Sequence, residues 1–155
     1  EKYRFGGAER KDIYFDEENR RHLLNIRTLF AEAAGNLADA GKKEEAIKVM
    51  NKIEASITQE SLPYAMVSRY NSHNQSSLIY LEAAYKTGMK ELAAKVKKAI
   101  LSDLKQQESY YNYIQTAKPA YYGGFERTED PINERLFSVI KDIETKYEGV
   151  DTKGK

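Results

Sequence analysis

The chain is predicted to be all-α, built from tetratricopeptide-like helical hairpin repeats: two degenerate hairpins and a C-terminal capping helix. The first sign is an internal echo. Leu37-Ala38-Asp39-Ala40-Gly41-Lys42-Lys43-Glu44-Glu45-Ala46-Ile47 is matched by Ala84-Tyr85-Lys86-Thr87-Gly88-Met89-Lys90-Glu91-Leu92-Ala93-Ala94. In each, an apolar helical pattern runs into a glycine, a short turn follows, and an alanine stands five positions after the glycine. Glycine suits the left-handed conformation that ends a helix, and alanine lets the returning helix pack closely. The second sign is that apolar residues recur at three- and four-residue steps along most of the chain. The third is size: 155 residues with 41% hydrophobic content suffice for one core without metals or crosslinks.

Residues 1–15 read as an extended lead-in, with the paired glycines of Tyr3-Arg4-Phe5-Gly6-Gly7 marking a turn. Asp16 is a good N-cap, and Glu17 and Glu18 suit the positive end of the helix dipole. The first helix then shows Leu23, Ile26, Phe30, Ala33, Leu37 and Ala40 on one stripe until Gly41 ends it. The second spans about 43–57, with Ala46, Ile47, Met50, Ile53 and Ile57 inward. After a polar connection, Pro63 suits the first position of a third helix reaching about residue 87, with Val67, Tyr70, Asn74, Leu78, Leu81 and Tyr85 on its stripe. A fourth helix runs from about 89 to 115, roughly 40 Å, long enough that 106–109 would admit a kink or an early end. Residues 118–129 contain Pro119, Gly123 and Gly124 and read as a loop. Asp130-Pro131 predicts the start of the last helix, and Gly149 its end. The result is a single helical-repeat domain over 16–148 and a polar tail over 149–155. The two units stand farther apart than the roughly 34 residues of a regular tetratricopeptide array. Lys97 also falls where a large apolar residue is expected.

Composition narrows the function. Lys plus Arg (25) nearly cancels Asp plus Glu (24), with the signs interspersed, which argues against nucleic acid or an acidic membrane surface as partner. There is no cysteine, hence no disulfide framework, thiolate nucleophile or cysteine zinc site. No run approaches the roughly 20 apolar residues of a membrane span, so the piece reads as soluble. Its opening at Glu1 reads as the interior of a longer protein. His22 and His73 lack metalloprotease spacing, and His22, four residues after Glu18, reads as an exposed helix contact. The many carboxylates read as solvated helix faces. No catalytic residue, metal site or cofactor is expected.

Two regions rise above this background. Residues 68–77 are polar in the middle of the predicted third helix, where Arg69, His73, Ser76 and Tyr80 would form one stripe on a continuous helix. Either that stripe faces a ligand or a peptide, or His73, Asn74 and Ser77 are buried groups bonded to neighbouring helices. The other region is aromatic: Tyr110, Tyr111 and Tyr113, then Tyr121, Tyr122 and Phe125 across the glycine-containing loop. Such rings serve sugar stacking and protein hot spots alike, or simply anchor the loop.

Several short motifs taken together carry a resemblance. They are Tyr3-Arg4-Phe5-Gly6-Gly7, Asp16-Glu17-Glu18-Asn19, Gly41-Lys42-Lys43-Glu44-Glu45-Ala46, Leu62-Pro63-Tyr64-Ala65-Met66-Val67-Ser68-Arg69 with His73-Asn74, Glu82-Ala83-Ala84-Tyr85-Lys86-Thr87-Gly88, and Asp103-Leu104 with Gln106-Gln107 before Tyr110-Tyr111-Asn112. From about Tyr3 to Gln115 the chain resembles the C-terminal soluble part of large multi-spanning membrane proteins of Bacteroidetes, a family of unknown function related to protein O-mannosyltransferases. The resemblance implies a lipid-linked sugar transferase whose catalytic acid lies in a membrane part outside this sequence. It therefore transfers no catalytic residue here. It also implies a periplasmic location, with the cytoplasm as the alternative. The expected role is non-catalytic: positioning a protein acceptor or partner, or binding a glycan through the tyrosine-rich loop, with membrane contact only through the rest of the parent chain.

Overall fold

Both glycines of the echo end a helix by the same pair of hydrogen bonds in the computed structural model, which describes residues 5–149. Gly41 and Gly88 are left-handed, with φ of 77° and 76°. Lys42 N–H donates to Leu37 O (2.8 Å) and Gly41 N–H to Ala38 O (3.0 Å); Met89 N–H donates to Ala84 O and Gly88 N–H to Tyr85 O, both at 2.9 Å. This doubled closure satisfies carbonyls that the helix end would otherwise orphan. The returning helices then place Ala46 and Ala93 fully out of solvent, as the spacing predicts.

Five helices result: α1 (Glu17–Asp39), α2 (Lys43–Ser56), α3 (Ser72–Thr87), α4 (Lys90–Ala117) and α5 (Gly124–Glu148), with 3-10 turns at Arg69–Asn71 and Pro119–Tyr121 and no strand among the described residues. Asp16 caps α1 as expected, its Oδ1 accepting from the Asn19 backbone at 2.8 Å. Helices α1, α3 and α5 run parallel, side by side. Their register is pinned by Arg27 on Ser77, Lys86 on Asp39, and Lys146 on Glu82. Helix α2 packs on α1, and α4 packs antiparallel on α3 and α5. Met50, Ile53, Leu81, Val96, Ile100, Leu104 and Ile140 form the shared core. Each such buried side chain contributes about 1.5–3 kcal/mol.

Two boundaries differ from the sequence expectation. Helix α3 starts at Ser72, nine residues after Pro63, because side chains hold the intervening backbone extended. Arg27 donates to Pro63 O (3.0 Å), Tyr64 N–H donates to Gln59 Oε1 (2.8 Å), and Met66 N–H donates to Asn74 Oδ1 (3.3 Å). These partners replace helical ones. Helix α4, in contrast, runs unbroken to Ala117, within two residues of its expected end. Helix α5 begins at Gly124, so the second half of the predicted loop belongs to it and Pro131 lies inside the helix. That early start is held by carboxylates: Glu126 accepts from Gly123 N–H (3.3 Å) and Tyr110 OH (3.1 Å), Asp130 from Tyr122 OH (2.7 Å), and Glu129 from Tyr70 N–H (2.6 Å).

The lead-in belongs to the core. Phe5, Ala8 and Phe15 are buried, Phe5 meets Phe30 edge-on at 5.8 Å, and Thr58 N–H donates to Ala8 O at 2.9 Å. The rest of the predicted lead-in (1–4) and tail (150–155) lies outside the described residues. Lys97, the odd residue of the second unit, is ion-paired with Glu144 (2.9 Å) and Glu148 (3.0 Å) of α5. It clamps the cap helix where an apolar contact is expected. His22 pairs with Glu18 on the surface at 3.1 Å.

Candidate functional site

The polar stripe expected on one helix is divided by a break in the backbone. Tyr70 (φ 55°) and Asn71 (φ 50°) are both left-handed, which asparagine tolerates and tyrosine rarely adopts. The corner is held from outside: Glu129 accepts the Tyr70 N–H, and Gln75 Nε2 donates to Tyr70 O at 2.6 Å. Ser68 Oγ accepts the His73 N–H (2.9 Å), capping α3 after the break. Arg69 is thereby left exposed on the turn, its guanidinium 5.0 Å from the Tyr70 ring centre. Ser76 is half-buried on α3, while His73 and Tyr80 face inward and are buried. The four residues form no common surface.

His73 and Tyr80 belong to a buried network around Arg27, which is 2% exposed. Arg27 donates to Pro63 O (3.0 Å) and Ser77 Oγ (3.1 Å), and its guanidinium stands 5.6 Å from the Tyr80 ring centre. Burial pulls its pKa down to about 10, leaving it charged at neutral pH. His73 Nε2 lies 2.9 Å from Pro63 O and 3.3 Å from Arg27 Nη2. Burial and the adjacent guanidinium push its pKa down to about 4, so the ring is neutral and donates to Pro63 O. Glu54 accepts from Tyr80 OH (2.5 Å) and Tyr64 OH (2.7 Å). Burial and that carboxylate raise both phenol pKa values. With every phenol proton engaged and the imidazole enclosed, this network has the character of a structural staple.

A second network joins α3 to α4. Asn74 Nδ2 donates to Asn71 Oδ1 (2.8 Å) and Asp103 Oδ2 (2.6 Å). Gln107 Nε2 donates to the same Asp103 oxygen at 2.7 Å, and its Oε1 accepts from Asn71 Nδ2 at 2.9 Å. Asn71, Asn74 and Gln107 are buried. The bland alternative for the polar middle of this helix is therefore the one realised.

The open face of α1, α3 and α5 presents different residues. Helix α5 is fixed to α3 at both ends, by Glu129 at Tyr70 and by Lys146 and Tyr147 at Glu82. Between those points the two helices part around a groove of about 470 Å³, lined by Gln75, Leu78, Ile79, Glu82, Ile132, Arg135, Leu136, Val139 and Ile143. A shallower hollow of about 280 Å³ shares Ile79 and Glu82 and continues across α3 to Glu32, Gly35 and Asn36 of α1. Sequence reasoning missed this groove. Its one legible signal is Ile79, an apolar residue beside Leu78 but off the predicted stripe, and it is partly exposed.

The tyrosine cluster is divided too. Tyr111 is buried, its hydroxyl 3.3 Å from Gln107 Oε1. Tyr110, Tyr113, Tyr121 and Phe125 expose large parts of their rings, Tyr121 as much as 73%. Tyr122 is half-buried and bonded to Asp130. Among the described residues no cluster of three or more His, Cys, Asp or Glu could hold a metal ion, and no helix is long and apolar enough to cross a membrane. Comparison with protein-family models, curated proteins and solved structures found no match to this chain.

Proposed function

We propose that this domain is a non-catalytic helical-repeat interaction module that positions a protein acceptor or partner subunit, as the periplasmic C-terminal part of a membrane glycosyltransferase-like protein. The observation that carries the interaction role is the groove between α3 and α5, an apolar floor left open between two fixed ends. Its parallel helices present a continuous row of side chains, the arrangement by which helical repeats hold extended partners. The parent protein rests on the motif resemblance alone. In this reading the sugar chemistry lies in the membrane part that the resemblance implies, and the domain by itself neither transfers nor hydrolyses sugar.

A second reading has its own support: Tyr110, Tyr121 and Phe125 keep ring surface exposed beside ordered carboxylates, a platform suited to stacking a glycan. Backbone-amide NMR discriminates. Unfolded acceptor peptides added to the full chain should shift resonances at Ile79 and Val139, while oligosaccharides should leave them in place. Shifts confined to residues 110–125 with oligosaccharides would move the function to the aromatic end, and unperturbed groove resonances with every peptide would defeat the interaction role.

A further inference from the structure

Building on the reading of this groove as a partner-holding face, we infer that its occupant is an extended peptide segment with apolar side chains flanked by a carboxylate, and that Arg135 anchors the carboxylate. The groove contains two charged residues, Glu82 and Arg135. Glu82 is already neutralised, accepting from Lys146 Nζ at 2.7 Å and Tyr147 OH at 2.9 Å. Arg135 is exposed and makes no hydrogen bond or ion pair with any described residue. An apolar groove with one uncompensated guanidinium at its rim is complementary to an apolar ligand bearing one negative charge. Guanidinium also matches carboxylate geometrically, through paired parallel N–H donors.

The parallel register of α3 and α5 puts Arg135 toward the Gln75 end, beside the corner carrying Arg69, which likewise has no carboxylate partner among the described residues. Along α3 the wall offers acceptors for a peptide backbone. Gln75 uses Nε2 on Tyr70 O and Glu82 uses Oε1, leaving Gln75 Oε1 and Glu82 Oε2 without a partner among the described residues. Ile79 lies between them on the same face, so an apolar side chain entering the groove there meets Ile79, Leu136 and Val139.

The test uses three capped peptides sharing one alternating Leu/Val core and flanked by Glu, Gln or Lys, with binding to the full chain read by fluorescence anisotropy. The Glu-flanked peptide should bind about tenfold more tightly than the Lys-flanked one at low salt, with the gap closing at high salt. Arg135→Glu should reverse that order without moving the thermal midpoint. Equal affinity for all three, or an acidic preference that survives Arg135→Glu, would overturn the inference. If that equal binding is lost in Val139→Asp, the groove still holds a partner and only the charge assignment fails; if no peptide binds, or Val139→Asp has no effect, both readings fall. A dimer in sedimentation that Val139→Asp dissolves would make a second copy the occupant and also overturn it.

Discussion

Replacing Asn74 with Ala should unfold the link between α3 and α4 in a measurable way. The native side chain is fully buried and makes three bonds: to Asn71 Oδ1 at 2.8 Å, to Asp103 Oδ2 at 2.6 Å, and from Met66 N–H at 3.3 Å. Gln107 still reaches both Asn71 and Asp103 after truncation, so those acceptors are weakened rather than abandoned. Met66 N–H, in contrast, loses its acceptor in a segment with no helical alternative. A lost bond to a carboxylate costs about 1.5–3 kcal/mol, and a stranded buried donor about 1–3. An overall loss of about 3 kcal/mol is expected, a fall of about 6–12 °C in midpoint for a chain of this size. Urea unfolding of Asn74→Ala beside Arg69→Ala supplies the internal control, because exposed Arg69 should change stability by no more than about 0.5 kcal/mol. An Asn74 variant as stable as the parent, or an Arg69 variant as damaged as Asn74→Ala, would refute the division into a buried staple and an exposed turn.

The pH dependence should carry the signature of His73, whose folded pKa of about 4 lies below the ordinary 6.5. Folding favours the neutral ring, so its contribution, up to about 3 kcal/mol, is complete above pH 6.5 and drains away as pH falls toward 4; His73→Gln should flatten the unfolding free energy over that window, and an unchanged slope would contradict the burial. Ala46→Leu and Ala93→Leu each overfill a fully buried hairpin contact and should destabilise by about 1–3 kcal/mol in thermal melts; unaltered midpoints in both would disprove close packing there. Pro131→Ala restores a donor toward Arg127 O within α5 and should stabilise by about 1–3 kcal/mol, which calorimetry can check. A lower midpoint would mean that the proline is needed to aim Glu129.

What the sequence disclosed was local. The glycine-to-alanine units, the Asp16 cap and the exposed His22 contact each depend on residues a few positions apart, and each stands as expected. What it concealed depends on partners far along the chain. Residues 63–71 have a helical pattern, yet Arg27, Asn74 and Glu129 hold that backbone from 36, 8 and 59 residues away. Asp130-Pro131 is a strong local start signal, overridden because Glu126, one turn earlier, accepts from Gly123 N–H and Tyr110 OH. The polar stripe failed as a surface for the same reason: its spacing assumes an unbroken helix, and nothing between Ser68 and Asn71 announces two left-handed residues. The groove is hidden more deeply, since its existence depends on where α5 is fastened, and no spacing within α3 or α5 encodes a separation between them.

The corner at Tyr70 and Asn71 also sets an order of assembly. The turns at Gly41 and Gly88 close through contacts within six residues and can form as soon as their helices do, whereas the Tyr70 N–H meets its acceptor only across a separation of 59 residues. Contacts that close long loops form late, after shorter ones have shrunk the entropy of the chain. Until α5 arrives, the left-handed pair has no external partner for that amide, and the start of α3 is free to sample its intrinsic helical preference. The last helix in the chain thus gives the middle of the chain its final shape, and amides around Tyr70 should exchange hydrogen sooner than those following Gly41 whenever α5 detaches.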